Sequence, residues 1–375
     1  MSSSLKTVRN TLVVILVICF GMVTLGGWVR LSGSGFSIPQ WPRFTVSETV
    51  NADGTVTEKK SFIPPSTEEG WEGLRDIFVH HEPTQEGIAV SEFKKLFWVE
   101  WSHRGLATLI GLAYLLLMFF TFRSREARES IGKLCIAGIL LLASQVMIGG
   151  FVIFLGVAAT AVAFHLVAAF LFISVVLWML MKVVHEPLPV EQRTRGNSIV
   201  KWAIVVYVLI GIQIFSGGLM AASKAGYSIN TWPRMGDDWI PPQLQIKGYS
   251  FVKNFTENVI MIQFWHRWYA IVVAAAILFF VARCMTVRVS KAARWALRAL
   301  FGTVILQVVL GIITLLTGVH PHIALTHQMV GLFVMLISLV TIYETKNHEV
   351  VMEMQIAEEQ ERAAAHSGKA TGHAA

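Results

Sequence analysis

Apolar residues fall in long unbroken runs along this chain, not in the short alternation of a soluble sheet or the one-sided stripe of a surface helix. About 20 mostly apolar residues are needed to carry a helix across a bilayer. Eight stretches meet that length, at 11–29, 104–122, 134–155, 160–181, 199–222, 266–283, 295–316 and 322–343. The pattern predicts eight transmembrane helices. The first run has no charge between Asn10 and Arg30 and no convincing small-residue cleavage site after it, so it reads as a retained span rather than a signal peptide.

Short loops set the expected orientation. Arg123, Arg125, Arg128 and Lys133 lie between spans 2 and 3, Lys182, Arg193, Arg195 and Lys201 between spans 4 and 5, and Arg283, Arg288, Lys291 and Arg294 between spans 6 and 7. The short connections 3–4 and 7–8 carry no Lys or Arg. By the positive-inside rule both termini are cytoplasmic, and the long loops near 30–102 and 223–265 are external.

Composition agrees with this and narrows it. Hydrophobic residues make up 54% and charged residues 15% of the 375, which excludes a disordered chain or a small disulfide scaffold. The net charge of +7 is the surplus that orients loops, so no nucleic-acid partner is expected. Cys19, Cys135 and Cys284 sit in or beside apolar runs and offer no zinc cluster or external disulfide.

The chain repeats itself. GGWVRLSGSGFSIPQWPR from Gly26 matches GGLMAASKAGYSINTWPR from Gly217, an offset of 191. EWSHR matches QFWHR, with His103 over His266 at an offset of 163. QVMIGG from Gln145 matches QVVLGI from Gln307, and His165 falls over His327, both at 162. The expected fold is therefore an all-α integral membrane protein of eight transmembrane helices, arranged as two tandem pseudo-symmetric four-helix bundles. Its parts are an N-terminal half (1–198), a C-terminal half (199–343) and a cytoplasmic tail (344–375). The first half is larger by 191 − 163 = 28 residues, all in its external loop, where no motif is legible; a cover over a pocket and a solvated loop are both open readings.

Four histidines recur as two per half, near the outer ends of spans 2, 4, 6 and 8. A lone membrane histidine is most simply an interhelical hydrogen bond, but ionisable groups inside spans are rare and point to function. Neutral imidazoles on facing helices suit a haem iron better than zinc, which prefers thiolates or more ligands. Arg104 and Arg267 follow the histidines and could pair with propionates or anchor at the interface. Gly149, Gly150 and Gly311 would let a ring approach the backbone, or serve ordinary helix packing. Arg43 and Arg234 read as rim or fold residues. Glu100 stands three residues before His103, and Gln263 stands at the matching place before His266. If the segment is helical, Glu100 shares a face with His103. It is then an acid/base beside one pocket only, or merely the i,i+4 partner of Arg104 on an exposed turn.

These stretches, with EFKKLFWVEWSHR and LGIITLLTGVHPHIALTHQ, resemble the signature segments of the haem A synthase family, in its proteobacterial and mitochondrial branch without an external cysteine pair. The resemblance runs from about Gly26 to Tyr343. It implies an oxidoreductase that converts haem O to haem A for cytochrome oxidase by oxidising a ring methyl to a formyl group. It also implies a haem b held by His266 and His327 with Arg267 nearby, a substrate haem O between His103 and His165 with Arg104 nearby, and Glu100 as the catalytic residue. The location implied is the bacterial inner (plasma) membrane. Expected partners are the lipid bilayer, a haem O synthase, an electron donor and possible further copies of the chain. A non-catalytic dihaem b-type electron carrier, or a transporter without haem, would share the gross pattern.

Overall fold

A computed structural model describes residues 1–38, 44–154, 158–185, 198–286, 289 and 291–371. Arg43, Arg193, Arg195 and Arg288 lie outside the described residues. The elements in chain order are α1 (Ser3–Ser32), a hairpin of β1 (Phe44–Val50) and β2 (Val56–Ser61), α2 (Glu68–His81), α3 (Val90–Arg123), α4 (Arg125–Phe154) and α5 (Ala159–Val184). These are followed by α6 (Ser198–Ala222), α7 (Phe251–Glu257), α8 (Val259–Met285), α9 (Lys291–Leu316) and α10 (Pro321–Thr371). Among the described residues, eight helices are long and apolar enough to cross a membrane: α1, α3, α4, α5, α6, α8, α9 and α10. They coincide with the eight runs expected from hydropathy. Large apolar side chains such as Leu112, Leu115, Phe119, Leu140 and Met147 are exposed on their outer faces, as lipid contact requires.

Two helices begin earlier than hydropathy suggests. The span expected from 104 belongs to a helix that starts at Val90. The charges in EFKKLFWVE hide it from a hydropathy window, but Phe93, Phe97 and Glu100 recur at helical spacing and are all buried. Likewise α8 starts at Val259, where the Asn258 side chain caps the helix by accepting from Ile260 N at 3.0 Å. At the other end of the chain, α10 continues through the polar tail to Thr371.

The repeat is visible in the packing. α1 packs on α3 and α5 as α6 packs on α8 and α10, and α4 lies on α5 as α9 lies on α10. A 3-10 turn follows α1 at Ser34–Phe36 and another follows α6 at Ala225–Tyr227, 191 residues on. Where the halves meet, α5 runs against α6 and α1 against α10. A Cβ on Gly218 would stand 2.7 Å from Ala163 Cα, and a Cβ on Gly27 would stand 2.7 Å from Leu325 Cδ1. Gly27 and Gly218 are 191 apart, and Ala163 and Leu325 are 162 apart, so the same contact occurs twice. Helices in lipid gain no hydrophobic drive from meeting each other, so close approach over small residues is what holds them.

The motif-free stretch between α1 and α3 is folded. The hairpin pairs Thr45 with Lys60 and Val50 with Val56. α2 is capped by Thr67 and buries Trp71, Leu74 and Phe78 against Phe93 and Phe97 of α3, with Ile38 in the same cluster. The loop therefore builds a small apolar core on the outer turns of α3. This two-stranded sheet is the one departure from an all-helical reading among the described residues.

Replacing Gly218 with Ala drives a methyl into the Ala163 backbone, whereas Gly27→Ala meets only the mobile ends of Leu325 and Gln328. The first substitution is expected to destabilise by about 1–3 kcal/mol and the second by less, read as thermal unfolding midpoints in detergent.

Candidate functional site

Each of the four histidines is seated on a glycine of the neighbouring helix. An added Cβ on Gly26 would lie 3.1 Å from His103 Nε2, and on Gly149 3.4 Å from His165 Cε1. In the second half, a Cβ on Gly217 would lie 3.1 Å from His266 Cε1, and on Gly311 3.0 Å from His327 Cε1. A Cβ at 26, 217 or 311 would crowd the imidazole, and one at 149 would just touch it. The glycines of the repeated motifs thus make room for histidine rings, while Gly150 has nothing within 4 Å.

In the C-terminal half the two rings face each other across one cavity. The His266 and His327 ring centres are 6.5 Å apart with planes at 84°. Two metal–nitrogen bonds of about 2 Å plus the ring radii span about 6 Å, so one metal ion between the rings fits this separation. The cavity measures about 240 Å³ and includes Gln213, Gly217, His266, Gln307, Gly311 and His327 in its walls. Ser216 Oγ lies 2.9 Å and Gln213 Nε2 3.1 Å from His266 Nδ1, which orients the ring and leaves Nε2 for a ligand. His327 Nδ1 is buried without a hydrogen-bond partner, and Gln307 Nε2 stands 3.5 Å from its Nε2. The residues present fit a haem iron held between the two rings.

The second layer around the histidines escaped sequence reasoning. Gln145, with its amide turned to satisfy both ends, donates to His165 Nδ1 at 3.2 Å and matches Gln307. Both glutamines stood at the head of a repeated motif, which was the available signal. Gln213 and Ser216 were less visible, being isolated polar residues in an apolar run. Their counterparts 191 positions earlier are Met22 and Leu25, so His103 lacks this support.

Glu100 is 3% exposed, on the helical face that carries Phe93 and Phe97. Its Oε2 accepts from Ser37 Oγ and from Ile38 N, both at 2.8 Å, and its Oε1 accepts from Arg104 Nη2. Arg104 also donates to the Ile38 carbonyl. The ion pair with Arg104 is present, but buried under the loop and not on an exposed turn.

The other half reproduces this clamp with opposite polarity. Ile229 is the counterpart of Ile38, 191 residues on. The fully buried Gln263 donates through Nε2 to Ile229 O at 3.0 Å. Arg267 donates to the carbonyls of Ile229, Thr231 and Arg234. In both halves, then, the arginine ties the long loop to the helix. In one half a carboxylate accepts from the loop, and in the other an amide donates to it. Arg234 lies exposed with its guanidinium 5.8 Å from the centre of a Trp239 ring, as a rim residue would.

Fold and site together define a polytopic membrane protein that repeats a histidine-pair module, with a buried carboxylate beside one pair. The chain belongs to the cytochrome oxidase assembly protein family (COX15-CtaA), whose model matches residues 9–339. It is 33% identical over 334 residues to the heme A synthase of Mesorhizobium japonicum, covering 88% of this chain and 87% of that protein. It is also 32% identical over 350 residues to the heme A synthase of Rhodopseudomonas palustris strain HaA2, covering 90% of each. With the heme A synthase of Bradyrhizobium diazoefficiens it shares 33% identity over 352 residues, 89% of this chain and 90% of that protein.

Arg104→Met leaves the Glu100 carboxylate buried without its cation, an expected loss of about 3–5 kcal/mol. Adding Glu100→Gln removes the stranded charge, so the double variant should be more stable than Arg104→Met alone in the same thermal assay.

Proposed function

We propose that the chain is a haem A synthase whose N-terminal half carries the chemistry. It is a membrane oxidoreductase that converts haem O to haem A for cytochrome oxidase, oxidising a ring methyl to a formyl group. Family membership and the named relatives support the reaction. What carries the assignment of halves is the Glu100/Gln263 pair. Two nearly isosteric side chains occupy one place in the same loop clamp, and only one of them can ionise or take a proton.

The working division is 1–198 as the substrate half, 199–343 as the half with a permanent cofactor, and 344–375 as a tail. His103 and His165 hold the substrate haem, with Glu100 one helical turn before His103 on the same face. Ser37, Ile38 and Arg104 fix the carboxylate, so a proton it takes up or gives back moves at a defined position beside the substrate. A carboxyl group placed this way serves as general acid or base while the methyl is oxidised. The apolar core of α2 over Ile38 keeps bulk water from this loop. His266 and His327, with Ser216 and Gln213 behind them, are the seat of a haem b. Bound there, haem b supplies one-electron transfer.

Haem O has a lipid-soluble tail, so it enters from the bilayer. The Lys and Arg of the short loops support cytoplasmic termini and an inner-membrane location. A haem O synthase upstream, an electron donor and further copies of the chain are the partners this role calls for.

In a host that makes haem O but has no synthase of its own, Glu100→Gln is expected to cut haem A at least about 100-fold. The purified variant should keep its bound haem spectrum. Full haem A production by that variant would remove the catalytic role from Glu100.

A further inference from the structure

We propose that Arg30 and Lys224 form a cationic mouth on the C-terminal cavity that grips the two carboxylates of the haem held there. The proposal rests on the reading of His266 and His327 as the haem b seat. Arg30 comes from the last turn of α1, in the other half of the chain, yet it lines this cavity together with Lys224 and Arg267. No acidic residue lines it among the described residues. Arg30 reaches Ala221 O with one Nη at a long 3.4 Å, and its Nε is buried without a partner. Arg267 gives both its Nη groups to three loop carbonyls and keeps only a buried Nε without a partner, whereas Arg30, besides its Nε, has an Nη group with no acceptor among the described residues. A planar guanidinium with free donors at a cavity edge suits a carboxylate.

The repeat supplies an independent observation. The left-handed residue that ends α1 is Gly33, with φ 72°. Its counterpart 191 residues on is Lys224, with φ 56°. A left-handed backbone is natural for glycine and unfavourable for lysine, so the C-terminal half tolerates strain to place an ammonium there. The counterpart of Arg30 is Ala221, which is uncharged. Neither cation has a charged equivalent in the repeat. One half thus has two positive groups for a dicarboxylate that stays, and the corresponding positions of the half with an exchanging substrate have none.

The test uses the purified full-length protein with its haem. Arg30→Gln, Lys224→Gly and the double variant are compared with Arg30→Lys for haem midpoint potential and for the rate of haem transfer to excess apomyoglobin. Lys224→Gly restores the residue natural to that backbone, so it should fold. Loss of a cation beside the carboxylates favours ferric haem, so both neutral single variants should have a lowered potential and the double variant a lower one still. Transfer from the double variant should be about tenfold faster or more. Arg30→Lys should stay near wild type in potential. A double variant with wild-type potential and transfer rate overturns the proposal. Pigment that is unchanged in His266→Ala overturns instead the haem reading beneath it.

Discussion

A ring as wide as imidazole can lie between two packed helices only where the facing helix has no side chain. That steric condition underlies the rest of this structure. It favours glycine at 26, 217 and 311, where an added Cβ would crowd the ring, and with Gly149 it marks which turns of α1, α4, α6 and α9 face α3, α5, α8 and α10. Because the helices are held by shape in a medium without hydrophobic drive, the same close approaches that seat the rings also hold the fold. Site and scaffold cannot be separated here as they can in a fold with loop-borne chemistry.

On that common frame the halves have diverged by polarity rather than by shape. Both long loops are tied to their helix by an arginine that reaches an isoleucine carbonyl. Next to it, glutamate accepts an N–H from the loop and glutamine donates to a carbonyl. The change from acid to amide is accommodated by which backbone group meets it. A buried carboxylate also needs a counter-charge and several donors, which Arg104, Ser37 and Ile38 supply. The amide needs less, and its Oε1 is left without a partner.

The eight spans, the repeat, the four histidines and Glu100 were legible in the sequence because each depends on local pattern or on motif spacing. The outer turns of α3 were not, since Lys94, Lys95 and Glu92 mask a helical rhythm that Phe93, Phe97 and Glu100 still carry. Nor was the small core of α2, whose Trp71, Leu74 and Phe78 find their partners only once Ile38 and α3 are in place. Gln213 and Ser216 are isolated polar residues in an apolar run, and their part is legible only with the His266 ring beside them. Arg30 could not be assigned to the cavity at all, because it reaches that wall from the other half of the chain.

The paired contact of Gly27 with Leu325 and Gly218 with Ala163 has the form of an isologous interface, the kind two identical subunits make across a twofold axis. In a dimer of identical chains every substitution appears on both sides of the axis at once. A buried carboxylate could not then become an amide in one subunit and persist in the other. Joining the two copies in one chain removes that restriction, and Ala163 beside Leu325 records it in the interface itself. Within a single chain, one frame can carry two different sites.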